Sequence, residues 1–494
     1  MVCETCSAQG GETGMNRFGR GPSLGCPSEE RKAAMRDEIF KQRIGRTPLV
    51  RARGLEQELG LEKIYLKLEG NNPTGHRVDR LAYLLIRDAL SRGKHTLCLA
   101  GYGAIAESLR EFARTFDVTC VFYTPKGRTV FRSTPEPDER IRIQEHGRSY
   151  EDCVAESRRV AGEQGWYNAN FGLANSMINM YAFSDIASEL TAQLDGRVDT
   201  ILCQAVDGSA VAGLHLGFRE QWIREQLDRP PALWAVSTTA GNAIVASYEA
   251  GSREILPLER NDMGKTRYGR HLASAVCQNG QDALNAIYDT SGRAVGMSDE
   301  RVLASVKRFR KREKIRLTLA NAFPVAAMMQ AAEGGEITPG NHVLILDDGK
   351  VDLDIRRLVS ADLNMPYKSL LERLDTWLGD YTDPLEEIDE ALKIAFERGF
   401  VLGAFDRGSL VGLTVLVRTG FQTFIPRFHM AYIATEKSAK GMGIATQLIQ
   451  EAVERSRGSL SLHVDLNNKK AIRLYEKMGL RRKYARMIYM GKPG

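Results

Sequence analysis

The sequence predicts two α/β units in series: a longer one with a parallel sheet over 38–356 and a shorter one with a mixed sheet over 369–494, joined by a linker at 357–368. Three observations carry this. Through the first two-thirds of the chain, short β-rich runs alternate with longer amphipathic stretches, the pattern of βαβ units covered on both faces. The last quarter changes rhythm to helix, hairpin, strand, helix, strand, helix, strand. Between a strand and a helix of that quarter lies a glycine-rich turn, "SAKGMG" (438–443).

In order, the strands of the first unit are "KIYLKLE" (63–69), "TLCLA" (96–100), "VTCVFYT" (118–124), "TILCQAV" (200–206), "LWAVST" (233–238) and "HVLILDD" (342–348). Helices such as "AIAESLREFART" and "AFSDIASELTAQL" separate them. The amphipathic "LVSADLNMPYKSLLERLDTW" breaks the alternation and places the linker. In the second unit "DPLEEIDEALKIAFERG" reads as a helix and "FVLGAFDRGSLVGLTVLVRTG" as a hairpin turning at Asp406–Gly408. "FHMAYIATE", "LSLHVDL" and "RKYARMIYMG" are strands; "ATQLIQEAVERSR" and "KKAIRLYEKMG" are helices. Residues 1–37 show no periodicity and read as a flexible arm.

Composition narrows the class. Hydrophobic residues at 43% and charged residues at 26% suit a globular protein. No apolar run approaches the roughly 20 residues of a spanning helix, and the start, "MVCETCSAQGGETGMNRFGRG", has no apolar stretch. A cytoplasmic protein with no membrane partner is the expectation. Net charge is +6 and the basic residues are interleaved with acids, the densest run being "RRKYAR" (481–486). That is a solvated face and not a nucleic-acid surface. Cys3, Cys6 and Cys26 lack a nearby fourth ligand, so no metal is expected.

Over 44–90 the chain carries "IGRTPLV", "IYLKLEG", "NPTG" and "DR" in order. Here it resembles the fold-type II pyridoxal-phosphate (PLP) superfamily, which includes cysteine synthase, threonine synthase and the tryptophan synthase β subunit. The resemblance implies a two-lobed parallel-sheet domain and the homodimer common in that superfamily. It also implies a Schiff-base lysine at the end of "NPTGS-x-K". Val78 stands there, between Arg77 and Asp79, and valine has no nitrogen to form an imine. Three more departures surround it. Tyr102 in "AGYGA" replaces an expected asparagine. Asp207 precedes Gly208 in "VDGSAVAG", the phosphate-cup stretch, where it sets a negative charge against a phosphate. "NAFPVAAMMQAA" (321–332) offers no serine, threonine or cysteine to the ring nitrogen. Together the four changes argue against PLP. The pocket of Thr74, Gly75, Val78, Tyr102 and Gly208 is then expected to bind an amino-acid-like ligand, to serve dimerisation, or both. The rival is a substitute lysine, Lys67 or Lys94, which read as structural and solvated respectively.

The second resemblance, to GNAT N-acetyltransferases, rests on two motifs. Ser438-Ala439-Lys440-Gly441-Met442-Gly443 followed by Ile444-Ala445 is similar to the family's (Q/R)-x-x-G-x-(G/A) turn, with serine for the first residue. Free amides at a helix start there can hold the diphosphate of acetyl-CoA, and Lys440 adds charge. "NNKKAIRLYEKMGLRRK" matches N-x-x-A-x-x-x-Y-x-x-x-G at Asn468, Ala471, Tyr475 and Gly479. The resemblance implies that Asn468 bonds the pantetheine arm, that Ala471 makes room for it, and that Tyr475 protonates the departing thiolate. Backbone amides of about Ile433 and Ala434 would stabilise the oxyanion. For the base, Glu436 leads over His429, Tyr432 and His463. The expected activity is acetyl transfer to the amine of an amino acid or small amino-acid-like molecule. Two alternatives stay open: a bifunctional enzyme with a PLP site, and an amino-acid sensor that switches the acetyltransferase.

Overall fold

The computed structural model describes residues 41, 43–131, 138–313, 315–351, 353–359, 365–406, 408–422, 424–439 and 443–483. The expected N-terminal arm with Cys3, Cys6 and Cys26, residues 360–364 of the linker, and most of the last expected strand lie outside the described residues.

The first unit has two lobes. A six-stranded sheet runs in the order Leu49–Arg51, Ile64–Leu68, His342–Leu346, Thr200–Gln204, Ala232–Thr238, Arg293–Met297, antiparallel only at its first pair. A four-stranded parallel sheet runs Ile141–Glu145, Thr119–Thr124, Thr96–Ala100, Tyr167–Asn168. Central strands such as Thr200–Gln204 and His342–Leu346 are buried along their whole length, which is why they read as unbroken apolar runs. A charge network joins Lys67, Glu69, Arg80 and Glu189, of which only Glu189 is partly exposed. Arg80 bonds Glu69 and Glu189, and Lys67 bonds Glu189 at 2.6 Å and the Thr47 carbonyl at 2.9 Å. The same two carboxylates hold the 45–47 turn, Glu189 through the Arg46 and Thr47 amides and Glu69 through the Thr47 hydroxyl.

The second unit is a five-stranded sheet, Asp354–Leu358, Gly399–Asp406, Ser409–Arg418, Phe428–Thr435, Leu460–Leu462, with only its last pair parallel. Helices Tyr367–Leu378 and Leu385–Arg398 pack on one face through Leu374 and Leu392; Ile444–Arg455 and Lys469–Lys477 pack on the other through Leu448 and Leu474. Its sheet begins at Asp354, ahead of the expected boundary, so 354–356 belong to it and 357–358 are strand and not linker. "DIRRL" hides this because an edge strand can be charged along most of its length.

The two units touch. Lys477 donates to the carbonyls of Gly45 (2.7 Å) and Arg46 (3.2 Å), and Gln447 donates to the Val351 carbonyl at 3.1 Å.

Candidate functional sites

In the second unit, the strand Phe428–Thr435 stays paired with Ser409–Arg418 to its end. Its pairing with Leu460–Leu462 stops at Met430–Leu462. Beyond that the edge of Phe428–Thr435 turned away from Ser409–Arg418 has no strand partner among the described residues, which leaves a gap in the sheet. The register on the other side shifts between Val415 and Leu416, so Ala431 is an extra residue, a β-bulge that turns the strand where the gap opens. The Glu436 amide bonds the Val411 carbonyl at 2.9 Å. Alternation along the strand then points Ala434's amide to the same neighbour and Ile433's into the gap. Of the two amides expected to meet an oxyanion, only Ile433's faces it.

Tyr475 shares an apolar cluster with Ile433 and Leu462, so the fold brings it to the gap. Burial pushes its phenol up to about 12, and its hydroxyl makes no hydrogen bond to a described residue. Asn468 caps its own helix, its Oδ1 accepting from the Ala471 amide at 3.0 Å. That leaves Asn468 its amide nitrogen as the donor for a carrier. At the open end of the gap, Ser438 and the buried Ala439 close a short turn. Lys440, Gly441 and Met442 lie outside the described residues. Gly443, at φ 75°, starts the helix Ile444–Arg455, and no side chain among the described residues bonds the first amides of Ile444 and Ala445. Helix start and gap lie at the same end of the strand.

The candidate bases separate. Tyr432 donates to Asp383 at 2.8 Å, and burial with that carboxylate raises its phenol, so it is committed. Glu436 sits at the open end of the strand beside the turn. His429 and His463 meet at the closed end, ring centroids 4.5 Å apart, with His429 Nδ1 3.1 Å from the Ser461 hydroxyl.

In the first unit, Val78 precedes the helix Asp79–Ser91 and packs against the main core. Thr74 donates its amide and hydroxyl to Asp79, at 2.7 and 2.5 Å, and Ser108 donates to the same carboxylate at 2.5 Å. Burial pushes Asp79 up to about 6. Arg77 reaches across the ends of two central strands to Cys203 Sγ (2.8 Å) and Asp347 (3.1 Å). Burial, with Asp348 and Glu69 nearby, pushes Asp347 up to about 7 in spite of that partner. The Tyr102 ring is stacked under Arg128 (4.0 Å) and set edge-on to Tyr150 (6.0 Å). Gly208, at φ 96°, starts the helix Ser209–Ile223, and a Cβ there would meet the Asn279 carbonyl at 2.3 Å. Asp207 accepts from the Ser209 amide (3.2 Å) and hydroxyl (2.5 Å). Thr74 is thus bonded from within the protein, and Tyr102 and Gly208 pack against the protein's own residues.

Neither sequence-proposed substitute lysine is free. Lys67 is fully buried in the charge network, and Lys94 bonds the Gly165 carbonyl. The structure instead sets the Lys350 ammonium beside Gly75, 3.2 Å from where a Cβ would stand, and burial lowers its pKa. No local signal marks this lysine, which arrives from the far end of the first unit.

These two geometries define a two-lobed parallel-sheet PLP-enzyme fold followed by a GNAT-type fold. Residues 40–348 match the family described as "Pyridoxal-phosphate dependent enzyme", and residues 368–480 match the "Acetyltransferase (GNAT) family". The chain belongs to the pyridoxal-phosphate dependent enzyme family and carries a GNAT domain behind it. It is 25% identical over 311 residues to threonine synthase of Methanocaldococcus jannaschii, covering 62% of this chain and 74% of that one. To threonine synthase of Methanosarcina acetivorans it is 26% identical over 345 residues, 68% and 82% of the two chains. Among solved structures, the processed form of threonine deaminase isoform 2 from Solanum lycopersicum shares the fold at TM-score 0.50 and 15% identity, covering 70% of this chain and 93% of that one. Maize serine racemase does so at TM-score 0.50 and 17% identity, over 69% and 98%.

Proposed function

We propose that this protein transfers an acetyl group from acetyl-CoA to the amine of an amino acid or small amino-acid-like molecule. The observation that carries the reading is the gap that opens beyond Met430 and Leu462, with a bulge at its root and an uncapped helix start at its mouth. Such a gap accepts an extended pantetheine arm by strand-like bonding, and the helix start takes its diphosphate. The Ile433 amide polarises the thioester carbonyl and holds the oxyanion that forms as the amine attacks, while Glu436 at the open end of the strand takes the amine's proton. Tyr475 gives its proton to the sulfur as the C–S bond breaks; a phenol raised by burial keeps that proton until a thiolate is there to take it.

The first unit, in this reading, has left PLP chemistry. The residues present do not fit the cofactor: position 78 has no amine, and the helix-start amide suited to a phosphate is already bonded to Asp207. No step is routed through PLP. Its role is ligand binding or dimerisation; Met177, Tyr181, Trp222 and Ile223 are exposed on its helices Ser176–Gln193 and Ser209–Ile223 and offer an apolar face to a second copy. Light scattering that finds a monomer would remove the dimer. The site is read as intracellular, in the cytoplasm, because acetyl-CoA is made available there.

The test is a screen of free amino acids and small amines for CoA release, with Tyr475→Phe as control. Turnover of at least one amine, lost in the variant, is expected; no acceptor and an unchanged variant would refute it. The bifunctional alternative is favoured only by Lys350 beside Gly75. It predicts a yellow protein bleached by borohydride, with the label on Lys350; a colourless protein unchanged by added PLP removes it.

A further inference from the structure

The acetyltransferase does not stand clear of the first unit, and the contacts fall on the elements that would bind the carrier. A Cβ on Gly443 would lie 3.1 Å from Asn71 Oδ1 and 3.2 Å from Pro48. Asn71 opens the "NNPTG" loop, so the remnant of one active-site loop rests against the diphosphate turn of another. Two residues beyond Tyr475, Lys477 places its ammonium on the Gly45 and Arg46 carbonyls. The Gly45 amide in turn donates to Asn72 Oδ1 at 2.8 Å, and the Asn72 amide bonds Glu69. One bonded path therefore joins the Tyr475 helix to the "NNPTG" loop.

Between these contacts is a cavity of about 220 Å³, lined by Arg43, Asn71 and Pro73 of the first unit and by Thr446, Gln450 and Lys477 of the second. Helical periodicity fixes which side of Ile444–Arg455 it occupies. Ile444, Leu448, Ile449 and Ala452 are buried against the sheet; Thr446 and Gln450 lie on the opposite face. The cavity is therefore outside the strands and cannot be the pantetheine gap. A carrier whose diphosphate rests on the start of this helix sends its thioester arm inward to the gap and its nucleotide outward. The cavity lies on that outward side.

We infer that the first unit completes the acyl-carrier site: the cavity between Arg43, Asn71 and Pro73 and the outer face of the helix Ile444–Arg455 takes the phosphorylated adenosine end of CoA. This rests on the acetyltransferase reading. Arg43 and Lys477 supply the positive charge for a ribose phosphate. The charged groups facing Lys477 are Glu189, Glu69, Arg80 and Lys67, and burial among them lowers its pKa to about 8. The "NNPTG" loop thereby changes occupation, from presenting a lysine to a cofactor to walling the nucleotide of a different coenzyme.

Calorimetric titration of the full chain with CoA, 3′-dephospho-CoA and acetyl-pantetheine tests this. Wild type is expected to prefer CoA over dephospho-CoA. Arg43→Ala should weaken CoA binding about tenfold, in keeping with loss of one charge-assisted bond, and erase that preference. Pro73→Trp, which fills the cavity, should weaken both nucleotide ligands. Equal affinities in wild type and both variants, with unchanged melting temperatures, would overturn the inference while leaving the acetyltransferase standing. A wild type that binds none of the three ligands would overturn both.

Discussion

Two helices of this chain begin alike and differ in one bond. Ser209–Ile223 follows Gly208 at φ 96°, and Ile444–Arg455 follows Gly443 at φ 75°; each leaves a strand through a turn that only glycine adopts easily. At the first, Asp207 folds back and occupies the leading amide. At the second, no side chain among the described residues caps the start. The same backbone is an anion site only where the protein does not supply the anion itself. A glycine-rich turn is thus half a motif, and the residue just before it decides which ligand, if any, the turn receives.

The contrast can be broken at several points. Tyr475→Phe should lower kcat by 100-fold or more, about what a general acid contributes, with little change in the KM for acetyl-CoA; equal losses at pH 7 and pH 9 in CoA-release assays would confirm a proton-donor role rather than a base. Gly208→Ala drives a methyl against the Asn279 carbonyl at 2.3 Å in a backbone conformation unsuited to alanine. It should cost roughly 2–4 kcal/mol in urea unfolding and leave CoA affinity unchanged.

A smaller effect comes from acidity. Asp79 titrates at about 6 in the fold, above the ordinary 3.8. The native state therefore binds more protons than the unfolded chain between these values, and this group's contribution to stability, full below pH 4, is lost as pH rises through 6. Asp79→Asn, which cannot ionise, should gain on wild type by roughly 1–3 kcal/mol between pH 4 and pH 7 in paired urea titrations. Smallest of all, Asp207→Ala frees one amide at a cost of about 1 kcal/mol. Inorganic phosphate should then raise the melting temperature of the variant more than that of wild type.

Much of the fold was legible because buried parallel strands must be continuous apolar runs: "HVLILDD" and "TILCQAV" could hardly be anything else. Strands at edges were not. "DIRRL" joins the second sheet and "IRIQE" the four-stranded one with charges exposed to water, and neither carries a periodic signal. The two carrier motifs were visible by spacing, yet spacing could not show that Asn468 spends its oxygen on Ala471, or that strand alternation gives the gap Ile433's amide and denies it Ala434's. It could not show Lys350 against Gly75 or Lys477 against Gly45 either. Those contacts join residues hundreds of positions apart, and only the packing of whole units sets them.

The central claim is that a diphosphate-bearing carrier binds at the start of the helix Ile444–Arg455. Its most direct measurement is calorimetric titration of the full chain with acetyl-CoA, in wild type and in Gly443→Val. The substitution puts a β-branched residue at φ 75°, against Asn71 and Pro48. The account predicts one equivalent bound by wild type and binding weakened at least tenfold in the variant, with a melting temperature that still marks a folded first unit. Binding of equal strength to both proteins, or none to wild type, would contradict it.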